Sequence, residues 1–206
     1  MTVQVETPAR RPDTDGEAQA PLHSHGRMTA LTLFSPIRAG WLPLLRISMW
    51  LGKWAPIAQR HTLQFNFIHF VRWAVVREFP YNGPPQERDR LNYPYLLFES
   101  NFDGPWRQYI DSFAYVIPRD IRYVWGRGIA FPGPPPAEPL KRWIAENSME
   151  GGTLYCAYPE ASTRMVLGAL ATRDALQRLI ADSDGLGPDA FKTRYEQFLT
   201  EVQAHI

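Results

Sequence analysis

A single cysteine, Cys156, is the only thiol in this chain of 206 residues. No intramolecular disulfide can form, and one thiol cannot assemble a Cys-based metal site. That scarcity fits a reducing compartment. Net charge is nearly absent too, with 22 Lys and Arg against 21 Asp and Glu. Bulk charge therefore does not point to a nucleic-acid partner, and none is expected. No run approaches the roughly 20 apolar residues that a membrane-spanning helix needs. Residues 1–27 are polar and lack the apolar core of a secretory signal, and Arg10-Arg11 is not followed by the apolar stretch of a twin-arginine signal. The expectation is a cytoplasmic protein, with membrane association left open by the segment described next.

Hydrophobic residues make up 45% and charged residues 21%, a globular balance. The length suits one domain with appendages. Residues 1–27 lack periodicity and read as a disordered tail, in which His23 and His25 have no thiol or acidic partners. Residues 28–60 form an apolar, Trp-bearing segment, and residues 61–206 the main domain. Between Pro43 and Pro56 there is room for a helix of about three turns. Arg46, Lys53 and Arg60 recur every seventh residue, while Leu44, Ile47, Leu51 and Trp54 lie on another face. A basic stripe with Trp and an apolar face suits a water–lipid interface, so residues 41–60 are a candidate membrane contact. A helix laid across the domain is the commoner arrangement.

Leu63–Val76 is rich in aromatic and β-branched residues and reads as a long strand, apolar on both sides and so central. Strict alternation puts His69 and Arg72 on opposite faces of it. Residues 78–92 are a Pro-rich connection with a turn at Asn82-Gly83. Tyr95–Phe102 is a second strand. Trp106, Tyr109, Ile110 and Phe113 recur at helical spacing, and Pro118 closes that helix. Ile121–Gly133 reads as a third strand bulged at its glycines, residues 137–147 as a short helix, and Gly151–Pro159 as a fourth strand. Ser162 is a candidate N-cap for helices running to the C-terminal region, with Thr172 a second cap. The pattern predicts an α+β fold: a small, mostly antiparallel four-stranded sheet with helices packed on it. The first strand's second apolar face calls for cover, from residues 28–60 or from a second copy in a sheet-to-sheet homodimer.

His69, Phe70, Arg72 and Trp73, then Leu96–Gly104, Phe131–Gly133 and Tyr158-Pro159, resemble the pattern of a set of bacterial ferredoxin-like, dimeric α+β-barrel-type domains. The resemblance spans about residues 60–180 and implies that fold and sheet-mediated dimers. Asp103 and Gly104 also match the end of the Gly-x-x-Asp-Gly motif of dye-decolorising haem peroxidases, with Ser100 where glycine belongs. That likeness implies haem, with His69 as a candidate ligand.

Four residues carry candidate chemistry. Glu99 and Asp103 are four apart and are candidates for a general acid–base pair. Alternatively, Asp103 accepts from the Trp106 amide as the cap of the following helix, and Glu99 pairs with Arg72 or Arg127. His69 is a candidate base, haem ligand or hydrogen-bonded strand histidine. Cys156 reads as an inert strand thiol, and Gly126-Arg127-Gly128 as a bulge. Two functions follow. The first is an accessory, non-catalytic domain that binds a partner, a membrane surface or a hydrophobic ligand. The second is an α+β-barrel oxidoreductase using His69, Arg72, Glu99 and Asp103.

Overall fold

The computed structural model describes residues 20, 22–52, 66–88 and 90–204. The tail over residues 1–19, Lys53 and Arg60 of the basic stripe, Trp54, and residues 63–65 of the first expected strand lie outside these described residues. Five strands form one open antiparallel sheet: β1 (His23–His25), β2 (Met28–Pro36), β3 (Ile68–Glu78), β4 (Arg90–Asp103) and β5 (Ser148–Met149). The strand order is β1-β2-β4-β3, with β5 on the same side of β2 as β1. Six α-helices accompany it among the described residues: α1 (Leu42–Gly52), α2 (Trp106–Val116), α3 (Pro118–Trp125), α4 (Ala137–Asn147), α5 (Thr163–Asp182) and α6 (Pro188–Val202).

The α+β class holds, but the sheet is built differently from the sequence expectation. Its second strand is Met28–Pro36, inside the apolar segment. Its buried positions Leu31, Leu33 and Ser35 alternate as a half-covered strand requires. The long strand β3 is an edge rather than the centre; β4 is flanked on both sides, by β2 and β3. Ile121–Gly133 is not a strand. Pro118 does not merely end α2 but opens α3 at its first turn, where its missing N–H costs nothing, and Ile121 and Trp125 bury at helical spacing. The expected bulge at Gly126 and Gly128 is the end of that helix. Gly151–Pro159 makes no ladder; after the two residues of β5 the chain leaves the sheet at Gly151-Gly152. Thr172 caps nothing, because α5 runs unbroken through it.

One face of the sheet carries the core. Leu31, Leu33, Leu96, Phe98 and Phe102 are buried under α2, α3 and α4, which supply Tyr109, Ile110, Trp125, Leu140 and Trp143. Phe102 and Tyr109 stack with centroids 3.8 Å apart, and Phe98 meets Trp125 edge to face at 5.1 Å. The Tyr109 hydroxyl and Ser100 Oγ lie 2.5 Å apart, giving both buried groups a partner. Burial raises the Tyr109 pKa, so the phenol stays neutral. At the rim, buried Lys141 joins α4 to α2 through Asp111 (2.7 Å) and Glu138 (2.9 Å). Burial alone would lower the Lys141 pKa, but those two carboxylates turn the shift upward.

Candidate functional site

The four sequence candidates separate into two pairs along β4. A β-bulge between Ile68 and Phe70 inserts His69 as an extra residue opposite β4. Ile68 pairs with Phe102 on the core face, and beyond the bulge Phe70 pairs with Asn101 and Arg72 with Glu99 on the outer face. Alternation is broken at His69, so His69 and Arg72 each reach an acid on the same strand, contrary to the strict alternation expected. Glu99 and Asp103 are four residues apart on an unbroken stretch of β4, hence about 13 Å between Cα atoms at strand rise. That is too far for a carboxylate pair acting on one bond.

Asp103 does not cap the helix that follows it. The N-cap of α2 is Pro105, with no side-chain hydrogen bond. Instead Oδ2 of Asp103 accepts from the backbone N–H of Thr163 at 2.8 Å, at the start of α5, sixty residues along. Oδ1 lies 2.9 Å from His69 Nε2. Ser162 Oγ accepts from Met165 N at 3.2 Å, so two side chains hold the same helix start, as a carboxylate and hydroxyl at that positive end should. The pair is largely enclosed, with side chains 21% (His69) and 16% (Asp103) exposed. A carboxylate oxygen accepts, so Nε2 donates and Nδ1 is the ring nitrogen turned away from Asp103. Nδ1 is the nitrogen left for proton transfer or ligation. Haem would have to use it, and neither cleft described below is lined by His69. The geometry lends the haem expectation no support. No group of three His, Cys, Asp or Glu among the described residues is placed to hold a metal ion.

The bottom of the sheet is tied by further contacts. Arg27 N donates to Pro159 O at 2.8 Å, and Gly26 sits against the same residue with a positive φ of 62°. A Cβ at Gly26 would lie 2.0 Å from Pro159 O, so only glycine fits. Of the two histidines of β1, His25 ties the strand to the loop, whereas His23 Nε2 is buried without a hydrogen-bond partner among the described residues. His25 Nδ1 accepts from Cys156 N at 3.1 Å, and His23 Nε2 is 3.5 Å from Glu150. Cys156 lies in this strapped loop, not in a strand.

Glu99 finds its cation across the sheet: Arg72 lies 2.6 Å from Oε2. The pair is more open than the first, with Arg72 65% and Glu99 29% exposed. Beside it a small cleft of about 140 Å³ is bounded by His23, Phe70, Glu99, Asn101 and the 151–154 loop. A larger cleft of about 530 Å³ lies elsewhere, lined by Trp41, Leu44, Leu45, Arg122, Arg127 and Phe131. The chain after β2 builds it. Arg38 N donates to Arg127 O, Ile129 N donates to Pro36 O, and the Arg127 guanidinium stacks 3.9 Å over the Trp41 ring. Neither Arg122 nor Arg127 forms an ion pair among the described residues, and no carboxylate lines the cleft.

Helix α1 forms one side of this cleft and is apolar on both sides. Leu42 and Leu45 face the body and are buried. Leu44, Ile47 and Trp50 face outward and are 48%, 54% and 61% exposed. The sequence carried a further signal that local motif reading passes over. No Asp or Glu occurs between Glu17 and Glu78, whereas seven Lys and Arg do. No family model matches this chain, and searches of curated proteins and of solved structures find no match either.

Proposed function

We propose that this is a non-catalytic, peripheral protein that settles on anionic membrane surfaces through the outward face of α1. The observation that carries the reading is that face itself: three large apolar side chains held outward on a helix whose opposite side is already packed. Large apolar side chains exposed opposite a packed face call for cover of their own. No described helix is long and apolar enough to cross a membrane, so lying in the interface is the arrangement that fits.

Magnitudes favour an anionic surface over a neutral one. At about 200 Å² per large side chain, half exposed, the three offer about 300 Å², or about 7 kcal/mol if fully inserted. Association itself costs about 4 kcal/mol or more, which leaves little for binding to neutral lipid. Exposed Arg46 lies on α1, Arg122 and Arg127 line its cleft, and exposed Arg38 lies just before α1. Each adds about 1 kcal/mol near an anionic surface. Apolar insertion and basic attraction together supply the two signals that stable surface binding takes.

Flotation with phosphatidylcholine vesicles, with and without phosphatidylglycerol, tests this. The full chain should float with the anionic vesicles, release as salt rises, and bind neutral vesicles weakly. The Ile47→Asn/Trp50→Asn variant should lose at least about tenfold in affinity while keeping its circular dichroism. Equal flotation of variant and wild type, or none on anionic vesicles at low salt, would overturn the reading.

A further inference from the structure

A second uncovered apolar surface among the described residues lies away from α1, on the C-terminal helical hairpin. Helices α5 and α6 pack against each other through Gly168, Ala175 and Leu179 on one side and Val202 with the half-buried Arg194 and Phe198 on the other. Arg178 pairs with Glu201 and Arg194 with Asp182, which fixes the hairpin's register. Next to this seam, helical spacing places Met165, Leu176 and Ile180 of α5 and Phe191, Tyr195 and Leu199 of α6. The stripe on α5 lies clockwise of its buried seam seen from the N-terminus. That on the antiparallel α6 lies counterclockwise of its seam in the same view, so both open to one side of the hairpin. These six side chains are between 40% (Leu199) and 65% (Ile180) exposed. An exposed apolar stripe of this kind marks an interaction surface.

We infer that this face is the contact between two copies of the chain, closing a four-helix bundle from two hairpins. The area matches. Six large side chains, about half exposed at about 200 Å² each, give about 600 Å² of apolar surface. A standard interface buries about 800 Å² per partner, about 65% of it apolar in homodimers. Charge permits self-contact: α5 and α6 carry five Lys and Arg and five Asp and Glu, so two hairpins do not repel each other. A membrane occupant fits less well, because the hairpin has no excess of cations for an anionic surface. The sheet-to-sheet dimer expected from the sequence has the smaller claim. Val76, Tyr95 and Leu97 on the outer face of β3 and β4 are already half-buried within the monomer, which leaves Phe70 (55% exposed) there beside the charged Arg72–Glu99 pair, whereas the hairpin stripe carries six large exposed side chains. The contact is isologous, each stripe meeting its own copy across a two-fold axis.

Light scattering on the full chain at micromolar concentration, without lipid, tests the inference. The wild type should be a dimer. Ile180→Glu/Tyr195→Glu puts charge at the centre of the patch and should raise the dissociation constant by about a hundredfold or more, giving a monomer with unchanged helicity. If that variant loses its fold, the milder Leu176→Ser/Leu199→Ser should still shift the equilibrium toward monomer. Phe79→Glu, just past the end of β3 where Phe79 stacks on Phe34, lies outside the hairpin and should remain dimeric. A monomeric wild type, a hairpin variant that stays folded and dimeric, or a Phe79→Glu variant that alone dissociates would each overturn the inference. None of these results depends on α1, so its vesicle binding stands or falls separately.

Discussion

Replacing Asp103 by alanine tests whether this carboxylate is the joint between the sheet and the helical hairpin. Two bonds disappear at once: the one from Thr163 N at 2.8 Å and the one to His69 Nε2 at 2.9 Å. Loss of a helix cap costs about 1 kcal/mol, and Ser162 retains its own bond, so that share stays near this value. Loss of a hydrogen bond to a charged group costs about 1.5–3 kcal/mol, more fully felt here because the pair is largely enclosed. The sum is about 3 kcal/mol, or about 9 °C in Tm for a domain of this size. Asp103→Asn keeps an oxygen for Thr163 N, and its NH2 can donate to Nε2 once the imidazole carries its proton on Nδ1, so it should cost less than half as much. Urea denaturation measures both variants, and a cycle with His69→Ala isolates the coupling, expected at about 1 kcal/mol or more. Hydrogen exchange should show the first turn of α5 opening before the sheet. An Asp103→Ala variant within about 0.5 kcal/mol of wild type would refute the joint and reduce the pair to a surface contact.

Two further substitutions probe the neighbouring geometry. Arg72→Met should cost under about 1 kcal/mol by urea denaturation, because the arginine is mostly in water; a loss of several kcal/mol would show that Glu99 is held far more tightly than its exposure implies. Gly26→Ala should cost about 1–3 kcal/mol, since a Cβ would meet Pro159 O at 2.0 Å and φ is positive; a Tm equal to wild type would mean that the strap at Pro159 does not hold.

Where periodicity was strong, the sequence was legible. The α2 stripe of Trp106, Tyr109, Ile110 and Phe113 and the alternation of β4 are both where the spacing predicts. Ile121–Trp125 misled because β-branched and aromatic residues favour strands on average, while Pro118 at the helix start outweighs that average here. Met28–Pro36 alternates cleanly but lies next to an apolar helix, and the two merged into one hydrophobic block. Of the candidate pairings, Arg72 was one of the two cations open to Glu99 and is the one it meets, whereas the pairing of His69 with Asp103 was not legible. No glycine or proline marks the bulge at His69, and the bond from Thr163 to Asp103 crosses sixty residues. Local reading offered Asp103 the nearest helix start, Trp106, and the fold gave it a distant one. The cationic, acid-free stretch from residue 18 to 77 was visible throughout, because it is a property of composition rather than of folding.

Peripheral binding of this kind requires α1 to enter the lipid interface. Vesicles of phosphatidylglycerol with bromine on the acyl chains quench a tryptophan only when it reaches the acyl boundary. Trp50, 61% exposed on the outward face, should be quenched on binding, and Trp50→Phe should remove a distinct part of that quenching while the protein still binds. Quenching that is identical in wild type and Trp50→Phe, with both bound, would place α1 away from the bilayer and contradict the account.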